Sequence, residues 1–143
     1  MILLDTNILV HATGAKSPKH AVAKEFRDRA VSGEIEACLA AQVLVEFYAI
    51  VTSPQRFQPP LTQSQTQREL RGYLSSRLKL ILPKDTTVAR MSDLLGSQAV
   101  KGGKIFDFFL AATMLENGVG TIYTENVRDF AGIAGIEAIN PLL

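Results

Sequence analysis

The chain has 143 residues, 47% of them hydrophobic and 20% charged, with 15 Lys and Arg against 14 Asp and Glu. That length supports one domain over residues 1–143 with one substantial core, and the apolar content excludes intrinsic disorder. A single Cys excludes a disulfide scaffold, and no apolar run approaches the ~18 residues of a membrane span.

Ile2-Leu3-Leu4 is a short buried strand ending at Asp5. Ser17-Pro18 reads as the start of a helix, with Val22, Phe26 and Ala30 on its inner stripe and Gly33 as its stop. Ile35 to Leu39 is a second strand, and Ala41 to Thr52 a helix with Leu44, Phe47, Tyr48 and Val51 on one face. Gln55 to Pro60 is a loop. Thr62 to Gln65 has the capping-box form and opens a polar helix to about Ser76. Leu78 to Leu82 is a third strand. Thr86 can cap a helix with Val88, Met91, Leu94 or Leu95, and Ala99 inside. Lys101 to Lys104 is a flexible loop, and Ile105 to Glu116 an apolar helix closed by Asn117-Gly118. Thr121 to Thr124 is a fourth strand and Glu137 to Ile139 a fifth. Strands alternating with helices, several of them continuously apolar, define an α/β domain with a parallel sheet covered on both faces.

Three acidic residues stand in apolar surroundings. Asp5 follows the first strand directly, Glu46 lies within Val43-Leu44-Val45-Glu46-Phe47-Tyr48, and Asp107 within Ile105-Phe106-Asp107-Phe108-Phe109. A carboxylate there is costly unless paired, hydrogen-bonded or bound to a cation. Structural roles compete for each: Asp5 as an N-cap for the segment after the strand, Glu46 as the partner of an Arg, Asp107 as a cap for its own helix. In parallel sheets, sites form beyond the carboxyl ends of strands. Asp5 ends the first strand and Asn126 follows the fourth, so neighbouring strands would set both in one crevice, with Asp129 in reach. Carboxylates gathered there repel by about 1 kcal/mol per pair at 4 Å in water. Oxygen ligands without a Cys or His cluster select Mg²⁺ or Mn²⁺ to relieve that repulsion. His11 and His20 lack zinc spacing and read as surface residues. The basic stretches Lys16 to Arg29 and Arg68 to Lys79 read as solvated helix faces.

These residues resemble the PIN domain family of metal-dependent ribonucleases, in particular the VapC-type toxins of toxin–antitoxin pairs. The matching segments are Ile2 to Leu9, Val43 to Tyr48, Lys104 to Thr113, Ile122 to Phe130 and the tail Ile136 to Leu142. The resemblance implies a Rossmann-like, three-layer fold with a mainly parallel sheet of order 3-2-1-4-5. It implies an Mg²⁺- or Mn²⁺-dependent endoribonuclease toxin that hydrolyses RNA with metal-activated water, leaving 5′-phosphate and 3′-hydroxyl ends. Asp5, Glu46 and Asp107 match the family's principal acidic positions and stand as catalytic residues and metal ligands. The fourth, often Asp, is Asn126 here, and Asp129 is the residue able to supply the missing charge as a ligand. Thr6 and Thr124 look like residues that orient the carboxylates or the attacking water.

Lys101 and Lys104 are candidate contacts to an RNA phosphate. The family also implies an antitoxin partner, a homodimer, and a larger assembly with DNA held through the antitoxin. Phe26, Tyr48, Phe57 and Tyr73 are candidates for lining the antitoxin groove, or for the core. No secretory signal opens the sequence, so a cytoplasmic setting without membrane contact is expected. The alternative function is a PIN-like module that binds RNA or a partner with little or no cleavage. Phosphotransfer enzymes fit poorly: haloacid-dehalogenase-like sites need Asp where Asn7 stands, and receiver domains need a Lys after the Thr121 to Thr124 strand.

Overall fold

In the computed structural model, which describes residues 1–143, five strands form one sheet: β1 (Ile2–Leu4), β2 (Ala37–Ala40), β3 (Lys79–Ile81), β4 (Thr121–Tyr123) and β5 (Glu137–Ile139). The order is β3-β2-β1-β4-β5, the one the resemblance implies, and every pairing is parallel. Seven α-helices connect and cover the strands: α1 (Thr6–Thr13), α2 (His20–Val31), α3 (Ala41–Val51), α4 (Gln63–Leu74), α5 (Thr87–Leu95), α6 (Ile105–Glu116) and α7 (Val127–Phe130). No helix is long and apolar enough to cross a membrane.

The main core joins Leu3, Leu4, Cys38, Leu39 and Ile122 of the sheet to Val43, Phe47, Phe108 and Met114 of the helices. A smaller cluster, Ile8, Ala12, Ala23 and Leu142, locks α1, α2 and the chain end together. The Thr62 capping box forms as expected: its hydroxyl accepts from Gln65 N–H, and the Gln65 side chain accepts from Thr62 N–H. Gly118, at φ +73°, ends α6 in the left-handed region.

Several boundaries differ from expectation. Helix α1 begins immediately after Asp5, with no turn between strand and helix. Helix α2 starts at His20, not at Ser17-Pro18, because the Ser17 hydroxyl accepts the Lys19 N–H in a turn. Its buried positions are Ala23 and Ala30, while Val22 is 40% exposed. In α5 it is Thr87 that is buried and Val88 that faces outward, and Thr86 provides no side-chain cap. The four aromatic groove candidates do not share a surface. Tyr73 is buried edge-on to Phe47, and Phe26 packs edge-on to Tyr123.

Candidate metal and nuclease site

At the carboxyl ends of β1 and β4 lies a cleft of about 320 Å³. Asp5, Glu46, Asp107, Asn126 and Asp129 all line it, together with Thr6, Asn7, His11 and Arg56. Four elements thus deliver the acidic groups: the end of β1, the middle of α3, the first turn of α6, and α7. Strands β1 and β4 are hydrogen-bonded neighbours, which brings Asp5 and Asn126 together.

Asp5 is 8% exposed, and its carboxylate is oriented on both sides. Oδ1 accepts the Thr6 N–H at 2.7 Å, which makes Asp5 the N-cap of α1 as well as part of the cleft. Oδ2 accepts the Thr124 hydroxyl at 2.7 Å and the Asn7 amide at 3.2 Å. Thr124 is itself fixed by the Asn126 N–H at 3.0 Å, and the Asn7 carbonyl accepts the Glu125 N–H at 3.0 Å. The start of α1 is therefore stitched to the segment after β4.

Glu46 meets no Arg. Its two oxygens accept the Thr6 hydroxyl at 3.0 Å and the Gln42 amide at 2.9 Å. Asp107 does not cap α6 but accepts from Lys104 Nζ at 3.2 Å. The same ammonium lies 3.6 Å from Asp129 Oδ1 and donates to the Asp129 carbonyl. Lys101 is exposed and pairs with no carboxylate.

Burial is the main reason the Asp5 carboxyl is raised above its ordinary value, and the nearby charges of Glu46 and Asp107 add to it. Burial likewise raises Asp107; Lys104 opposes the shift, while Asp129 and Glu46 reinforce it. No three Asp, Glu, His or Cys side chains stand close enough around one point to clasp an ion as they lie. The donor chemistry nevertheless fits a hard divalent cation. The acidic side chains offer only oxygen donors, and two of the carboxyls carry the desolvation and mutual repulsion that such a cation would relieve.

The histidines differ from the surface reading, since both are half-buried. His11 lines the cleft, with Nδ1 2.7 Å from Ser17 Oγ and Nε2 2.9 Å from Glu125 Oε2. Lys19 donates to the other Glu125 oxygen, and His20 Nδ1 lies 3.0 Å from the His11 carbonyl. Neither His11 nor Arg56 carried a signal in the sequence, because each reaches the cleft from a segment with no motif of its own.

This all-parallel sheet, with an acidic cleft at its carboxyl end, belongs to a known class of α/β domain: the chain is a member of the PIN domain family, whose model matches residues 2–136. It is similar to ribonuclease VapC24 of Mycobacterium tuberculosis, 23% identical over 142 residues covering 99% of this chain and 97% of that one. Ribonuclease VapC48 of the same organism is 25% identical over 138 residues, covering 96% and 94%. Among solved structures, M. tuberculosis VapC20, described as a sarcin-ricin loop cleaving toxin, aligns with a TM-score of 0.69 at 14% identity, covering 96% of this chain and 99% of that one. The VapBC2 complex of Rickettsia felis, bound to promoter DNA, aligns at 0.67 with 22% identity and 98% coverage of both chains.

Proposed function

We propose that the protein is a metal-dependent endoribonuclease acting as the toxin of a VapBC-type toxin–antitoxin pair. The observation that carries this reading is the convergence of Asp5, Glu46, Asp107 and Asp129, from four separate elements, on one cleft at the carboxyl end of a parallel sheet. The ribonuclease names of relatives matched over nearly the whole chain support RNA as the substrate.

Asp5, Glu46, Asp107 and Asp129 are the residues that would hold Mg²⁺ or Mn²⁺, with the Asn126 carbonyl oxygen as a neutral donor. When bound, such a cation supplies Lewis acidity toward a phosphoryl oxygen and a readily ionised water. The chain's own residues do the positioning. Thr124 and Asn7 hold Asp5 in one orientation, and Thr6 and Gln42 hold Glu46. Lys104 keeps Asp107 and Asp129 on the same side of the cleft. His11 is held at the rim of the cleft between Ser17 and Glu125.

A protein partner suits the surface. Val45, 70% exposed, and Leu74, 57% exposed, lie with Tyr48, Leu70 and Leu80 along an apolar groove of about 420 Å³ between α3, α4 and β3. Structurally similar proteins include a toxin–antitoxin complex and a VapBC2 complex on promoter DNA, which supports an antitoxin partner, and a cytoplasmic site of action goes with an RNA target. A homodimer is part of the same reading.

Purified protein incubated with total RNA, with Mg²⁺ or Mn²⁺ and with EDTA, tests the proposal. Metal-dependent cuts with 5′-phosphate and 3′-hydroxyl ends, absent in Asp5→Asn, are expected. Cuts that survive both EDTA and the substitution contradict it. No cuts, with RNA still bound, would favour the binding-module reading, to which the Lys104 ammonium already seated on Asp107 and Asp129 lends some weight.

A further inference from the structure

We propose that Arg56 anchors a phosphate of the RNA strand entering the acidic cleft, and so positions the substrate without itself reacting; this rests on the ribonuclease reading above. Four carboxylates line the cleft, so a polyanion entering it needs a cation to meet it. Most cations nearby are already engaged. Lys104 is held by Asp107 and Asp129, Lys19 by Glu125, and His11 lies between Ser17 and Glu125.

Arg56 is different. It lines the cleft, is exposed, and forms none of the chain's ion pairs. Its backbone is nevertheless well placed. The N–H groups of Arg56 and Phe57 both donate to the Ser53 carbonyl, at 3.0 and 2.9 Å, in a turn just beyond α3. Phe57 packs on the main core, and its ring lies so close to Gly14 that a Cβ there would sit 3.0 Å from it. The loop is thus pinned to the end of α1, which keeps Arg56 on the wall of the acidic cleft. A planar guanidinium matches two phosphate oxygens at once, which an ammonium cannot do, and a phosphate contact fixes the register of a strand without reading its bases.

The test is binding of a short, labelled, random-sequence single-stranded RNA in EDTA, where cleavage is suppressed, across a salt series. Arg56→Gln and Arg56→Lys are compared with the unaltered chain. Arg56→Gln should bind about tenfold more weakly, with a salt slope shallower by about 0.7, the value for one lost single-strand phosphate contact. Arg56→Lys should recover part of the affinity and the full slope. Thermal unfolding and Mn²⁺ affinity should not fall in either variant. If the unaltered chain binds RNA while Arg56→Gln matches it in affinity and slope, the anchor is wrong and the nuclease reading stands. Lost stability or Mn²⁺ binding in Arg56→Gln, unrelieved in Arg56→Lys, would make Arg56 a structural residue and overturn the anchor as well. If the unaltered chain neither binds nor cleaves RNA, the functional reading fails and takes the anchor with it.

Discussion

Thr124 ties together more of the site than its size suggests: one hydroxyl donates to Asp5 and accepts from the Asn126 N–H and the Asn7 amide. Thr124→Val keeps the shape and removes that hub. It should cost about 1–3 kcal/mol in urea unfolding, the range for stranding buried polar partners, whereas Thr124→Ser should cost less. Asp107 makes an opposite prediction for stability. Burial raises its carboxyl, so the folded chain holds that proton more tightly than the unfolded chain does. Its ionisation therefore costs stability as pH climbs from the ordinary Asp value of 3.8 through the raised one. Asp107→Asn should raise the Tm of the metal-free protein slightly at neutral pH, and should lose the advantage in acid, where the native Asp is protonated. Burial likewise pushes the Cys38 thiol up to about 11, so an alkylating reagent at mild pH should label it only after unfolding. The three principal carboxylates were legible because each interrupts an apolar run. Arg56 and His11 were not, since nothing in a loop or in the last turn of a helix announces which cleft a side chain will reach.

At the scale of elements, legibility followed the strength of local signals. The Thr62 capping box and the Asn117-Gly118 stop each carry their own hydrogen-bonding or backbone requirement, and both helix ends formed where expected. Helix α1 was hidden because Asp5 serves at once as strand end and N-cap, leaving no turn residues to mark the change. The start of α2 was displaced because Ser17 caps a turn and also meets His11, both uses outside the helix. Helix α7 has 4 residues, too few to show any periodicity. Thr62→Ala should destabilise the protein by about 1 kcal/mol through the lost cap. RNA cleavage should be unchanged, because α4 contributes nothing to the acidic cleft. Lost cleavage at unchanged stability would mean that α4 touches the substrate.

For the molecule as a whole, the parallel order β3-β2-β1-β4-β5 is what converts scattered acidic residues into a site. It sets β1 beside β4, so that Asp5 and Asn126 leave the sheet at the same edge, and α3, α6 and α7 bring Glu46, Asp107 and Asp129 to that edge. The most direct test of this account is a calorimetric titration of Mn²⁺ into the metal-free protein, repeated with Asp107→Asn and with Glu125→Gln. The account predicts saturable binding that Asp107→Asn abolishes and Glu125→Gln retains, because Glu125 is held by His11 and Lys19. Absence of saturable binding, or equal binding in all three proteins, would contradict it.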